Sequence, residues 1–164
     1  MARILIVGCG GRGQALAREL VAAGHAVRGT TRDPARVPAV EAAGAEAYLG
    51  DPDRIMTLMD GLGATTILAW LMGSATGPEE QVRELHAGRL RMMCEKIVDT
   101  PVRGLLYEAA GTVPAAWREE GELIVRAARA TWNIPLQVLE TDPDDREAWV
   151  GDAAAAVQRL LAGA

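Results

Sequence analysis

The stretch Arg3-Ile4-Leu5-Ile6-Val7-Gly8-Cys9-Gly10-Gly11-Arg12-Gly13 decides how this chain folds. Its first half is a continuous apolar run rich in β-branched residues, the pattern of a buried strand. Its second half holds Gly8, Gly10 and Gly13 in the spacing G-x-G-x-x-G. A helix follows at once, over Arg12 to Ala23, with Ala15, Leu16, Leu20 and Val21 on one stripe and Gly24 as its stop. Strand, glycine turn and helix in this order form a phosphate-binding unit. Gly8 makes the tight turn, Gly10 lets the backbone approach a pyrophosphate, and Gly13 lets the helix pack close to the sheet. The free N–H groups and partial positive charge of the helix start then face the phosphates. Cys9, Gly11 and Arg12 complete the loop, Arg12 either pairing with the phosphates or pointing to solvent. The alternative is a glycine-rich turn with no ligand.

Working outward, apolar strands alternate with helical segments. Strands are expected at Ala26–Thr31, Ala45–Leu49, Thr65–Leu71, Val102–Glu108 and Pro135–Glu140. Short helices are expected at Asp33–Ala43 and Asp51–Asp60. In the first, Asp33 is the N-cap and Pro34 the first helical residue. Longer helices are expected at Glu79–Val98, Ala115–Trp132 and Ala148–Leu161. In Glu79–Val98 the inward residues are expected to be Val82, Leu85, Met92, Met93 and Ile97. Strands separated by helices imply right-handed parallel crossovers. The expected fold is α/β: a single doubly wound Rossmann-type domain over residues 1–164, with a six-stranded parallel sheet in the order 3-2-1-4-5-6 flanked by helices.

The second strand selects the cofactor. NAD sites place an acidic residue there for the ribose 2′-hydroxyl. This chain has Thr30-Thr31-Arg32-Asp33. Arg32 can pair with a 2′-phosphate, and Thr31 can donate a hydroxyl hydrogen bond to it. NADP(H) is therefore the preferred cofactor. NAD(H) is the alternative, with Asp33 turned to the ribose.

Composition narrows the partners. The 164 residues carry a net charge of −5, without a basic block of the kind that binds nucleic acid. Lys96 is the only lysine. Cys9 and Cys94 have no disulfide or zinc spacing. His86 and Cys94 share one face of the expected long helix but lie ~12 Å apart, too far for one metal. No metal site is expected. The apolar run Ile4–Val7 is too short for a signal segment or a membrane span, so a cytoplasmic location is expected.

Several residues resemble a known family. Val27-Arg28-Gly29-Thr30-Thr31-Arg32-Asp33-Pro34 resembles the second-strand segment of atypical short-chain dehydrogenases of the NmrA-like and NAD-dependent epimerase/dehydratase-like kind. Gly50-Asp51-Pro52 is similar to their glycine-aspartate step after the third strand, which implies that Asp51 meets the adenine. Ala69-Trp70-Leu71 falls where these proteins flank the cofactor's ribose. The family commonly has G-x-x-G-x-x-G, whereas here Val7 stands at the first glycine position. Its enzymes use a Tyr-x-x-x-Lys pair, the tyrosine as acid/base. Tyr48 and Tyr107 are the tyrosines here, and neither precedes Lys96 by four residues. Extended members also carry a substrate region after the sixth strand, where this chain has room for one closing helix. Ala42 to Asp51 also resembles the nucleotide-sensing domains of potassium-transport regulators, which usually end the second strand in an acidic residue.

Three functions follow: a dinucleotide-binding sensor module, a small oxidoreductase or epimerase-like enzyme completed by a second subunit, or a domain that kept the fold and lost the cofactor. Catalytic residues are not identified. Glu108 and Thr112, at the end of the fifth strand, are either a general base pair or a helix cap and surface. Cys9 is a small filler or a nucleophile. Ser74 and Thr76 either touch a nicotinamide or form a plain loop. Trp117, Trp132 and Trp149 are expected as core or interface anchors. The helices Glu79–Val98 and Ala115–Trp132 are the expected homodimer face.

Overall fold

In the computed structural model, which describes residues 1–163, the first strand is β1 (Arg3–Val7) and the helix after the glycine turn is α1 (Gly11–Ala22). The chain continues through β2 (Ala26–Thr31), a 3-10 turn at Pro34–Arg36, α2 (Val37–Ala42) and β3 (Glu46–Leu49). A 3-10 helix at Ile55–Leu62 leads to β4 (Ile67–Trp70), α3 (Glu79–Glu84), α4 (Gly88–Ile97) and β5 (Leu105–Glu108). The rest is α5 (Ala115–Trp132), β6 (Leu136–Leu139) and α6 (Arg146–Leu161). The sheet has six strands in the order β3-β2-β1-β4-β5-β6, and every pairing is parallel. The doubly wound α/β architecture expected from the alternation is the one observed.

The period-2 geometry of β1 splits its side chains between two apolar layers. Ile4 and Ile6 pack with Leu16, Leu20, Val157 and Leu160 of α1 and α6. Leu5 and Val7 pack with Leu58, Leu90, Met93 and Val125 on the opposite face. Both faces of the central strands are thus covered, which is why they read as unbroken apolar runs.

The expected long helix at Glu79–Val98 is two helices, broken at residues 85–87. The break lets His86 turn inward, fully buried, instead of sharing a helix face with Cys94. His86 Nε2 lies 2.8 Å from the Met72 carbonyl, and its Nδ1 lies 2.7 Å from the Tyr107 hydroxyl. A carbonyl only accepts, so Nε2 carries the proton. Burial lowers the His86 pKa and keeps Nδ1 free as the acceptor for Tyr107. The break also shifts the helical phase. Val82, Leu85, Met93 and Ile97 are buried as expected, but Met92 is 37% exposed.

Tyr107 dictates a residue on α5. A β-carbon on Gly121 would overlap the Tyr107 hydroxyl, so only glycine lets α5 lie this close to β5. Gly121→Ala is expected to destabilise the fold by about 1–3 kcal/mol through this overpacking. Urea unfolding reads the change; an unaltered midpoint would show that α5 can shift freely.

Candidate functional site

The carboxyl ends of the parallel strands open on one cleft of about 520 Å³. This is the edge where open α/β sheets bind ligands. The three glycines of the turn do different work there. Gly8 has φ +94°, and a β-carbon on it would overlap the Leu71 carbonyl. A β-carbon on Gly13 would lie 2.7 Å from the Gly8 carbonyl oxygen and 3.4 Å from Ile6. Gly10 has nothing within 4 Å of that position, so its backbone faces open space in the cleft. Gly10 caps α1 without a side-chain bond, and the first turn holds no acidic residue. The first amide of this turn to find a carbonyl is that of Gln14, at 2.8 Å from Gly10. The N–H groups of Gly11, Arg12 and Gly13 have no acceptor among the described residues, as at any uncapped helix start, and all three residues line the cleft.

Arginines surround these amides. Arg12, Arg32, Arg36 and Arg146 all line the cleft. Among the described residues, Arg12, Arg32 and Arg146 form no ion pair, and Arg36 reaches Asp33 only at 4.0 Å. A chain of net charge −5 thus gathers positive charge at one place. Arg12 lies over the Trp149 ring, 5.6 Å from its centroid, and its buried Nε has no partner. Arg32 donates to the Thr76 carbonyl at 3.5 Å.

Asp33 is occupied. Its Oδ1 accepts from the Ala35 amide at 2.9 Å, the N-cap bond expected before Pro34. The Thr31 hydroxyl accepts from the Asp33 amide at 3.1 Å and donates to its carbonyl at 3.2 Å.

Glu108 is fully buried at the inner end of the cleft. Its Oε1 accepts from the Gly73 amide and its Oε2 from Trp149 Nε1, each at 2.8 Å. It neither caps α5 nor faces water: it ties the loop after β4 to α6. Burial raises its pKa, opposed by those two bonds and by the charges of Arg12 and Arg118. Thr112 donates its amide to Ser74 Oγ at 3.3 Å. Cys9 is buried, and its thiol is pushed up to about 11 by burial, the environment of a filler and not of a nucleophile. Trp149 is core, whereas Trp132 is 40% exposed.

Of the residues singled out in the sequence, Gly8, Cys9, Gly10, Gly11, Arg12, Gly13, Thr31, Arg32 and Leu71 come together on the cleft wall. Ala69 and Trp70 do not reach it, because both faces of β4 are buried; Trp70 instead donates to the Leu85 carbonyl at 3.0 Å. Asp51 turns away to accept from the Asp53 amide at 2.9 Å, and its neighbours Gly50 and Pro52 line the cleft. Arg36 and Arg146 were missed. Arg146 opens α6 just after the last strand, so the carboxyl-edge rule that marked the glycine loop points to it as well.

The TrkA-N domain, a Rossmann NAD-binding domain, matches residues 4–73. No curated protein sequence is significantly similar to the chain. Among solved structures, BdcA from E. coli has a TM-score of 0.72 at 20% identity, over 94% of this chain and 89% of that one. UDP-glucuronic acid 4-epimerase from Bacillus cereus, in complex with NAD, has a TM-score of 0.66 at 13% identity, over 84% of this chain and 56% of that one. Triphenylmethane reductase from Citrobacter sp., complexed with NADP(H), has a TM-score of 0.64 at 16% identity, over 85% and 49%. The chain spans about half the length of the epimerase and of the reductase. Its fold is that of the NAD(P)-binding Rossmann proteins, and the segment bearing the glycine loop and Arg32 is the part that matches the TrkA-N domain.

Proposed function

We propose that this chain is a cytoplasmic dinucleotide-binding module of one domain, residues 1–164, that prefers NADP(H) over NAD(H). The observation that carries the reading is the start of α1: amides beside Gly10 without a carbonyl acceptor, in a cleft also lined by Arg12, Arg32 and Arg146, which form no ion pair among the described residues. The pyrophosphate lies on those amides. The preference for NADP(H) rests on Arg32 and Arg36 at the end of β2, with Asp33 spent as a cap. Thr31 Oγ1 reaches a 2′-phosphate only by giving up its bond to the Asp33 carbonyl. Calorimetric titration with NAD⁺, NADH, NADP⁺ and NADPH tests the assignment. Arg32→Ala should weaken NADP(H) about ten- to a hundredfold and leave NAD(H) nearly unchanged, the worth of a charge-assisted contact. An Arg32→Ala protein with its NADP(H) affinity intact overturns the preference.

A sensor role is favoured over catalysis by how the acid/base candidates are held. The Tyr107 hydroxyl donates its one proton to His86 Nδ1 at 2.7 Å, with the Arg118 carbonyl a second acceptor at 3.2 Å, and both Glu108 oxygens accept bonds. The second reading is a small atypical short-chain oxidoreductase or epimerase-like enzyme, completed by a second subunit. It is favoured by an apolar groove of about 440 Å³ between α4 and α5, where Leu123 is 70% exposed and Trp132 is also uncovered. The same groove is the proposed homodimer face. Sedimentation of the wild type is expected to show dimer at micromolar concentration, and Leu123→Glu monomer. Wild type that is only monomer removes this reading, and a turnover screen separates enzyme from sensor.

A further inference from the structure

The fold brings Arg146 to the glycine loop from the far end of the chain. Arg146 is the first residue of α6, and a β-carbon on Gly11 would lie 3.0 Å from its Nη2. Its guanidinium therefore sits directly beside the open amides of α1. One turn further on, Trp149 lies under the Arg12 guanidinium. The seam between α1 and α6 thus holds two arginines at the mouth of the same cleft.

Arg146 is exposed to solvent where the start of α6 meets the start of α1. A helix start carries partial positive charge, and Arg146 stands at the start of α6 facing the start of α1. Three acidic residues precede it in the turn: Asp142, Asp144 and Asp145. None pairs with it. Asp145 accepts from the Ala148 amide at 3.3 Å, and Asp142 accepts from the Asp144 amide at 2.9 Å. Among the described residues Arg146 has no ion pair at all. A guanidinium held against two helix starts, with carboxylates nearby that it does not use, is placed for an anion from outside the chain. The α1 amides offer hydrogen bonds from one side, and Arg146 and Arg12 offer charge from the other.

We infer that Arg146 and Arg12 form a clamp that closes the glycine loop over a diphosphate. This rests on the dinucleotide reading for its natural ligand, and it adds a contact from the opposite end of the sequence. It also links ligand to α6, since the diphosphate joins the starts of α1 and α6. Arg146 acts on the diphosphate common to all four cofactors, so it sets affinity, whereas Arg32 sets the choice among them.

The test titrates wild type, Arg146→Ala and Arg146→Lys with NADPH, NADH, ADP, AMP and inorganic pyrophosphate. Arg146 is exposed, so neither change threatens folding. Arg146→Ala is expected to weaken NADPH, NADH and ADP by one common factor, about ten- to a hundredfold, with AMP affected less. Lysine keeps the charge but loses the bidentate fork, so Arg146→Lys is expected to fall between. NADPH and NADH affinities unchanged in Arg146→Ala overturn the clamp and leave the dinucleotide reading standing. Pyrophosphate binding that depends on Arg146, in a wild type that binds no dinucleotide, supports the clamp and overturns that reading. A wild type that binds neither overturns both.

Discussion

Gly10→Val is expected to keep the fold and lose the dinucleotide. Gly10 has φ −81° and ψ −156°, outside the left-handed region that demands glycine and at the rim of the extended region. A β-carbon there meets nothing within 4 Å. The substitution therefore costs little stability, but its two methyl groups stand where the pyrophosphate approaches. Backbone contact with the phosphates is then blocked, and the affinity should fall more than about a hundredfold, equivalent to roughly 2.7 kcal/mol. Gly8→Val and Gly13→Val give the opposite result. At Gly8 a side chain meets both a left-handed φ and the Leu71 carbonyl; at Gly13 it meets the Gly8 carbonyl. Each should cost about 3 kcal/mol of stability, from backbone strain with overpacking at Gly8 and from overpacking at Gly13. For a domain of this size that is a drop of roughly 6–12 °C in Tm. Calorimetric titration and thermal melts on the three variants separate the outcomes. A Gly10→Val protein that melts like wild type and binds like wild type places the ligand elsewhere.

The same contrast explains what could be read from the sequence. The tight turn at Gly8 and the close packing at Gly13 were legible because each depends on backbone spacing, which the local string carries. The sheet order was legible because crossovers have one hand and a short list of topologies. Asp33 as a cap was legible because Asp-Pro is a local signal. Features that depend on side chains far apart in sequence were not. Nothing near Arg146 says that it reaches Gly11, and nothing near Glu108 names Trp149 as its donor. The break at residues 85–87 was hidden for a related reason. Leu85, Met93 and Ile97 keep an apolar stripe on both sides of it, so the periodicity ran on through His86. Its partners, Tyr107 on another strand and the Met72 carbonyl after β4, account for why His86 turns inward. Asp51, Ala69 and Trp70 entered through family resemblance and strand position, neither of which specifies which face a side chain takes.

Glu108 is the residue whose loss should damage the molecule most. Glu108→Ala removes the acceptor from two buried donors, the Gly73 amide and Trp149 Nε1. Each unsatisfied donor costs about 1–3 kcal/mol, and the empty space adds to that, so a loss of roughly 3–5 kcal/mol is expected. That is a large part of the ~5–15 kcal/mol by which a domain is stable. Trp149→Phe removes one donor by itself, so the double variant Glu108→Ala/Trp149→Phe should be less destabilised than the sum of the singles. Additive effects would show that the Glu108–Trp149 bond contributes nothing. The pH dependence has a definite sign. Burial raises the Glu108 pKa above its ordinary 4.5, so the folded chain holds this proton more tightly than the unfolded chain does. The stabilisation is complete below about pH 4.5 and is lost as the pH rises through the raised value. Glu108→Gln cannot titrate, and its amide nitrogen leaves one of the two donors unpaired. It should therefore be less stable than wild type throughout, with the gap widest at the acid end and narrowing as the pH rises. His86 titrates equally in both proteins and cancels from the difference. Urea midpoints of the pair across pH 4–8 measure it. A gap that widens with rising pH would mean that Glu108 is held as a carboxylate, with Arg12 and its two hydrogen bonds outweighing burial.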